Sequence, residues 1–202
     1  MKICVINGVN LNKVGFRVPE VYGNESMDEI KAELTAKFPL VKFEFLTSNI
    51  EGEVVEFVQR AVAVEDEKKD VVYEEVDSGD GVIALTESII TPVWQEEEEQ
   101  TDGMIINAGG YSHYSVAIRD AVSDIRQYIP VVEVHMTNIF AREIFRRNSV
   151  ISPVCNGVIS GLGKNSYMLG VSALIELIKE KKEAELRAGM QEEQQDDPII
   201  EE

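Results

Sequence analysis

Residues 103–135 read GMIINAGGYSHYSVAIRDAVSDIRQYIPVVEVH, and this stretch decides the fold. GMIINAGG at 103–110 is a short apolar run followed by glycines, which predicts a strand that ends in a loop. Residues 112–129 show the apolar spacing of an amphipathic helix, and PVVEVH at 130–135 predicts a second strand. A strand, a helix and a strand in this order form a βαβ unit, whose two strands are parallel.

The same alternation runs through the rest of the chain. Further strands are predicted at KICVIN (2–7), VKFEFLT (41–47) and GVIS (157–160). Further helices are predicted after a capping box of Ser26 and Glu29, at about 51–63, at AREIFRR (141–147) and at about 163–187. Strands that alternate with helices predict an α/β protein, namely a flavodoxin-like three-layer sandwich with a five-stranded parallel sheet.

The net charge of −18 is confined to two segments. Residues 65–102 hold 14 acids and two bases, residues 189–202 hold six acids and no base, and the remaining residues balance. A neutral body lacks the basic surface that nucleic acids require, so we expect no nucleic-acid partner. We expect a single domain over residues 1–187, with an acidic segment at about 66–100, in which VVYEEVDSGDGVIALT is typical of a β-hairpin, and a disordered acidic tail at 188–202.

Membrane and disulfide signals are absent from the sequence. No apolar run reaches the roughly 20 residues that span a bilayer, and the N-terminus MKICVINGVN lacks the basic region and cleavage site of a signal peptide. Cys4 and Cys155 form no CxxC pair and no disulfide framework. We therefore expect a cytoplasmic protein with reduced cysteines and no membrane partner.

Polar residues follow the predicted strands. They are Asn7 and Asn10 after the first strand, Ser48 and Asn49 after the second, Asn107 and His113 after the third, and His135 after the fourth. Open α/β sheets bind ligands beyond the carboxyl ends of their strands. We therefore expect the two histidines of the chain to meet in one cleft at this edge of the sheet.

Residue spacing excludes several familiar sites. No GxGxxG follows the first strand, and GVISGLGK at 157–164 misses the glycine spacing of a phosphate-binding loop. Two histidines without a carboxylate cluster or a cysteine pair make a poor metal site, so no metal is expected. Ser112 lacks the GxSxG surroundings of a serine nucleophile. What remains is proton transfer by side chains.

Two residue pairs have the chemistry of proton transfer. Arg17 and Tyr22 share the loop after the first strand, where a guanidinium can lower the pKa of a phenol and make it a base. The alternative is that both are ordinary surface residues. Glu133 and His135 are two apart on one strand and point to one face, so the carboxylate can orient the imidazole as a general acid.

Two further features suit an anionic substrate. The backbone amides of Met136 and Thr137 can form a carboxylate-binding nest where the fourth strand ends. Arg142 and Arg146 are i, i+4 in the predicted helix, and both guanidinium groups can point into the same cleft. Basic helix faces are more often only solvated, so this pair carries little weight alone.

Four blocks of sequence follow one another in the order typical of one enzyme family. They are INGVNLNKVGFRVPEVYG (6–23), TSNIEGEVVEFVQ (47–59), DGMIINAGGYSHYSVAIRDA (102–121) and VVEVHMTNIFAREIFRRNSVISPVCNGVISGLGKNSYMLG (131–170). These blocks resemble the signature blocks of the type II 3-dehydroquinate dehydratases. The resemblance implies a flavodoxin-like subunit, trimers assembled into a dodecamer, and no cofactor. It also implies the reversible anti-elimination of water from 3-dehydroquinate, a small anionic substrate, to give 3-dehydroshikimate.

The resemblance implies a role for each matching residue. Tyr22 matches the base that removes a proton beside the ketone, Arg17 the lid residue that activates it, and Asn10 the residue that holds the enolate through a water. His135 matches the acid that protonates the departing hydroxyl, with Glu133 as its orienting partner. The matching substrate-binding residues are Asn107, His113 and Arg146, the amides of Met136 and Thr137, the supporting Arg142, and Asp120, which reaches the substrate of a neighbouring subunit.

Two departures from the family pattern lie in the first block. Val9 stands where the family has the proline of NGPN, and Val18 stands where it has the glutamate of REP. Neither position carries the chemistry. The resemblance also implies that the acidic segment at about 66–100 is an insertion, because the family passes almost directly from helix to third strand there. Two alternatives stay open from the sequence: a non-catalytic flavodoxin-like module that binds an anionic ligand or a partner protein, and a flavin-dependent electron carrier on the same fold.

Overall fold

A parallel sheet of five strands lies at the centre of the computed structural model, which describes residues 1–15, 26–62 and 100–195. The strands are β1 (Lys2–Val9), β2 (Lys42–Thr47), β3 (Gly103–Gly109), β4 (Val131–His135) and β5 (Gly157–Ser160). They lie in the order β2-β1-β3-β4-β5, and every neighbouring pair is parallel. This is the order of a flavodoxin-like fold, so the predicted fold class is confirmed.

Helices cover both faces of the sheet. They are α1 (Met27–Lys37), α2 (Glu51–Arg60), α3 (Val116–Ile125) and α4 (Asn165–Gln195). One hydrophobic core joins α2 and α3 to strand residues such as Ile6 and Ile106. A second core joins α1 and α4 to strand residues that point the other way, such as Val5 and Ile105. The result is the predicted three-layer sandwich.

Burial on both faces explains why the strands read as continuous apolar runs. All five residues of β4 are buried, and six consecutive residues of β1 are buried. The start of α1 follows from a local signal: the Ser26 hydroxyl accepts a hydrogen bond from the Glu29 amide, and the Glu29 carboxylate accepts one from the Ser26 amide. These reciprocal bonds form the predicted capping box.

The helix predicted at 141–147 does not form, and that prediction was wrong. Two 3₁₀ turns, Ile139–Ala141 and Ile144–Arg146, occupy the region, and the backbone is extended at Arg142 between them. Ile144 and Phe145 are exposed, so a helix here would have no apolar face packed on the body. Short helices without such packing are marginal in water.

The last helix is longer than predicted. α4 ends at Gln195 rather than near 187, so the first part of the segment expected to be a disordered tail is helical. The predicted hairpin in the acidic segment and the end of the tail, at 63–99 and 196–202, lie outside the described residues. Among the helices of the described part, none has the length and apolar character needed to cross a membrane.

The two central strands approach each other closely at Gly8. A Cβ atom built at this position would lie 2.3 Å from the carbonyl oxygen of Ala108 in β3. That separation is far shorter than a non-bonded contact allows, and the obstacle is backbone rather than a side chain that could move. Only glycine fits at this point of the sheet.

Alanine at Gly8 is therefore expected to lower the free energy of unfolding by about 1–3 kcal/mol or more, because the two strands must separate to admit the methyl group. Gly52→Ala is the matched control. Its new methyl group would meet no atom within 4 Å, and it lies in α2. The control is expected to be neutral or to stabilise by up to about 1 kcal/mol. Urea unfolding measures both, and equal midpoints for the two variants would contradict the close approach.

Candidate active site

Three buried polar side chains meet near the carboxyl ends of the central strands. Asn7 in β1 and Asn107 in β3 are register partners, and Tyr167 from α4 bonds to both. The Tyr167 hydroxyl donates to Asn7 Oδ1 at 2.5 Å and accepts from Asn107 Nδ2 at 2.8 Å. The side-chain oxygen Oδ1 of Asn107 accepts from the backbone amide of Gly109 at 3.3 Å. These bonds fix the side chain of Asn107, a predicted substrate contact.

Tyr167 is unsuited to act as a base. Its side chain is fully buried, and burial raises the pKa of its phenol well above the ordinary value of 10, despite the hydrogen bond from Asn107. Its two hydrogen-bond partners among the described residues, Asn7 and Asn107, are neutral. A phenol that acts as a base needs the opposite surroundings, with a nearby positive charge and access to substrate.

Glu133 and His135 form the predicted pair inside β4. Both side chains are almost completely buried, and His135 Nε2 lies 3.0 Å from Glu133 Oε1. The distance is that of an ion pair, although the contact lacks the alignment of a hydrogen bond. Alternation along the strand places both residues on one face, as the sequence predicted.

Two serine hydroxyls also contact the Glu133 carboxylate. Ser149 Oγ donates to Oε1 at 2.8 Å, and Ser152 Oγ donates to Oε2. Burial acts to raise the pKa of Glu133, but the contact with His135 and the two serine hydrogen bonds outweigh it and hold that pKa below the ordinary value of 4.5. Glu133 is therefore a buried carboxylate that stays ionised.

His113 is held in one tautomer by its two neighbours. Its Nδ1 atom lies 2.7 Å from the carbonyl oxygen of Asn148, which can only accept, so Nδ1 carries the proton. Its Nε2 atom lies 3.1 Å from Arg142 Nη1, which can only donate, so Nε2 carries none. Both ring nitrogens of His113 are therefore in hydrogen bonds.

Arg142 connects the loops that follow β3 and β4. Besides His113, its guanidinium donates to the Thr137 hydroxyl. The loop after β4 is fixed in turn by the end of β5 and the loop that follows it. The Met136 carbonyl accepts from the Gly163 amide at 2.8 Å, and the Thr137 carbonyl accepts from Ser160 Oγ at 3.1 Å. Binding of a carboxylate by the Met136 and Thr137 amides stays a prediction.

Three further predicted residues make other contacts or are exposed. Asn10 has a left-handed backbone with φ of 67°, and its backbone N–H donates to Asn49 Oδ1 at 2.7 Å. The Arg146 guanidinium donates through Nε to Glu143 Oε2 at 2.9 Å, and its i, i+4 helical relation to Arg142 is absent because the helix at 141–147 does not form. Asp120 is exposed on α3.

The predicted base and its activating residue, Tyr22 and Arg17, lie outside the described residues. Their roles stay predictions. In the described part of the chain, no group of three or more His, Cys, Asp or Glu side chains is placed to hold a metal ion.

Sequence reasoning missed three residues of this site. Tyr167 could have been suspected, because a tyrosine on the apolar face of a helix needs a partner for its hydroxyl. Ser149 and Ser152 gave no such signal. They lie 16 and 19 residues from Glu133 in the chain, in an irregular segment without periodicity.

A family model described as Dehydroquinase class II matches residues 1–75 and 83–175 of this sequence. The chain belongs to this family. The interruption in the match, at 76–82, falls inside the acidic segment predicted as an insertion, and the match itself continues on both sides of it. The resemblance stated from the four sequence blocks is thereby confirmed.

Individual dehydroquinases support the assignment. The chain is 44% identical over 175 residues to the 3-dehydroquinate dehydratase of Pelodictyon phaeoclathratiforme, covering 87% of this chain and 92% of that protein. It is 42% identical over 180 residues to that of Fusobacterium nucleatum, covering 87% and 97%. The crystal structure of type II dehydroquinase from Butyrivibrio crossotus matches with a TM-score of 0.65 and 35% identity, covering 86% and 97% of the two chains.

Replacing Glu133 by glutamine tests whether the buried carboxylate is ionised in this dehydroquinase. The amide has one acceptor oxygen for two hydroxyl donors, so at about pH 7 the free energy of unfolding should fall by about 1–3 kcal/mol. Because the folded pKa of Glu133 is lowered, its stabilisation is present above about 4.5 and is lost as pH falls through the folded pKa.

The measurement is urea unfolding of the wild type and the variant at several pH values. The difference between their unfolding free energies should be largest near neutral pH and should shrink in acid, where the wild-type carboxyl group becomes protonated. A difference that stays constant down to about pH 3 would show that the glutamine variant fails for another reason, such as packing.

Proposed function

We propose that this protein eliminates water from 3-dehydroquinate to give 3-dehydroshikimate, as a cofactor-free hydro-lyase of the shikimate pathway that leads to aromatic amino acids. The family membership and the relatives named 3-dehydroquinate dehydratase support this activity. They favour an enzyme over the two alternatives, a binding module and a flavin carrier. A cytoplasmic location is part of the same proposal.

The chemistry sets three requirements. Removal of a proton beside a ketone gives an enolate, so the site needs a base and a means of stabilising oxyanion charge. Loss of hydroxide then needs an acid that protonates the leaving oxygen. In the anti-elimination the base and the acid act from opposite faces of the substrate ring. One side chain therefore cannot perform both tasks.

The buried pair of Glu133 and His135 is the observation that carries the proposal. An ionised carboxylate beside an imidazole stabilises the protonated ring, which is the form that donates a proton. The other histidine, His113, has its two ring nitrogens bonded to Asn148 and Arg142 rather than to a carboxylate. The two histidines therefore have different roles in this proposal. His135 is the acid, and His113 is a polar contact to substrate.

The base in this proposal is Tyr22, activated by Arg17. A nearby guanidinium favours the phenolate, which makes a tyrosine basic enough near neutral pH. Asn10 holds the enolate through a water. The other substrate contacts are Asn107, the amides of Met136 and Thr137 on the carboxylate, Arg146, and the supporting Arg142.

The hydrogen bonds of the described residues support parts of this arrangement. Asn107 is fixed by Tyr167 on the sheet, and Arg142 already bonds to His113 and Thr137. Arg146 has to exchange its bond with Glu143 for the substrate, since its guanidinium is bound there at present. The substrate is a small carboxylate, and positive charge at this edge of the sheet suits it.

The decisive assay follows the absorbance of the conjugated enone product when 3-dehydroquinate is added. We expect turnover by the wild type and a loss of at least about 100-fold in kcat for Tyr22→Phe, because the variant keeps the ring and loses the proton acceptor. Tyr128→Phe is the matched control. Tyr128 is half-exposed just before β4, at the opposite end of that strand from His135.

Each outcome of the assay bears on a different claim. Wild-type rates in Tyr22→Phe would remove Tyr22 from the role of base. A wild type that binds 3-dehydroquinate without turning it over would support the non-catalytic module instead. Equal losses in the Tyr22 and Tyr128 variants would point to a general effect of removing a hydroxyl group.

We also propose that the subunits form trimers assembled into a dodecamer, with Asp120 contributing to the substrate site of a neighbour. The exposed position of Asp120 on α3 leaves its carboxylate available to another chain. Assembly would then complete each site, because a single subunit supplies only part of the substrate contacts.

Co-expression of two inactive variants tests the shared site. Asp120→Asn impairs the neighbour's site, and Tyr22→Phe impairs its own, so mixed trimers contain some sites with both residues intact. Activity of the purified mixture should exceed that of either variant alone, as measured by the enone assay. If mixing restores nothing while light scattering shows mixed oligomers, Asp120 acts within its own subunit.

A further inference from the structure

One short segment contacts the surroundings of both histidines. In residues 148–152, the Asn148 carbonyl accepts from His113, and the Ser149 and Ser152 hydroxyls donate to Glu133 beside His135. Between them, the Val150 amide donates to the Ser112 carbonyl at 2.8 Å. The segment therefore joins the ends of β3 and β4 through hydrogen bonds on each side.

The direction of the Ser149 hydrogen bond is fixed by its own partners. The Ser149 hydroxyl oxygen accepts from the Ile151 amide at 3.2 Å and from the Ser152 amide at 3.1 Å. A hydroxyl group has two acceptor lone pairs and one proton. With both lone pairs in use, the proton has to point at Glu133 Oε1, 2.8 Å away. Oε1 is therefore an acceptor.

We propose that Ser149 and Ser152 are positioning residues, which keep the Glu133 carboxylate ionised and aimed at the imidazole of His135. The proposal rests on the proposed function, in which His135 is the leaving-group acid. It adds two residues that touch neither substrate nor the reacting atoms. The Ser149 hydroxyl donates a hydrogen bond to Oε1 of Glu133, and the Ser152 hydroxyl donates one to Oε2.

The consequence for His135 follows from the fixed acceptor. Because Oε1 accepts a hydrogen bond from Ser149 and lies 3.0 Å from His135 Nε2, a proton on Nε2 is favoured over a bare lone pair facing the carboxylate. The other ring nitrogen, Nδ1, is then the one that can donate to a leaving hydroxyl. Burial strengthens the effect, since the attraction between a carboxylate and a positively polarised N–H group is stronger where water is excluded.

Ser152 is the better of the two positions to test. Ser149 also accepts from two backbone amides, so its loss would disturb the segment itself. Ser152→Ala removes the donor to Oε2, and kcat should fall by about tenfold while KM changes by less than about twofold, because the acid is misplaced and the substrate contacts remain. Ser152→Thr keeps a hydroxyl group and should restore most of kcat.

Two further variants complete the comparison. Ser152→Cys keeps the approximate size of the side chain but offers only a weak donor, so its kcat should be as low as that of the alanine variant. It also decides the question if the alanine variant does not fold. Ser172→Ala is the control, because it removes a hydroxyl group bonded to its own helix, at the Met168 carbonyl, and should leave kcat unchanged.

A second readout is independent of turnover. The chain has two histidines, so ¹⁵N labelling of histidine gives a simple spectrum in which the ring shifts report which nitrogen carries the proton. His135 should show a protonated Nε2 in the wild type, and its ring shifts should move in Ser152→Ala and Ser152→Cys. They should not move in Ser172→Ala.

The outcomes separate this proposal from the proposed function. Absence of wild-type turnover with 3-dehydroquinate would overturn the function, and the ring shifts would still decide whether the serines set the state of His135. Unchanged shifts and full kcat in both Ser152→Ala and Ser152→Cys would overturn the positioning role. A threonine variant as slow as the alanine variant would also overturn it, because the hydroxyl group would then not be the cause.

Discussion

The sheet is buried on both faces, and this constraint decides where polar chemistry can occur. Residues within a parallel strand lie against helices on either side, so an unpaired polar side chain there would lose its hydrogen bonds to water. The strands of this protein are accordingly apolar along most of their length, and polar residues collect where the strands end. The site therefore lies at the carboxyl edge because that edge is where the polypeptide leaves the core.

Glu133 is the exception, and the surrounding structure compensates for it. A carboxylate inside a strand is costly unless donors surround it, and removing one partner from a buried charge is more harmful than never having had the charge. Two hydroxyls and an imidazole satisfy it here. The Asn7, Asn107 and Tyr167 group follows the same rule with neutral partners. Each polar group that enters the core is accompanied by others that complete its hydrogen bonds.

The sequence predicted those features that local patterns encode. Buried strands appear as apolar runs, the capping box of Ser26 marks a helix start, and the residues after each strand could be assigned to one edge. The helix predicted at 141–147 does not form. Its arginines have helical spacing, but the segment has no apolar face that packs against the rest of the protein. The contacts of Glu133 with the serines, and of Tyr167 with Asn7 over 160 residues of chain, could not be predicted because only the folded chain brings them together.

The 148–152 segment also bears on how this protein can diverge. Surface connections generally tolerate insertions and deletions, since few contacts depend on their length. Here, one added residue between Asn148 and Ser152 would change the distance between the residue that bonds to His113 and the residues that bond to Glu133 beside His135. At most one histidine could then keep its present surroundings. Evolutionary change in this segment is therefore confined to substitutions of exposed side chains. The length of the segment is as constrained as the length of a strand in the core.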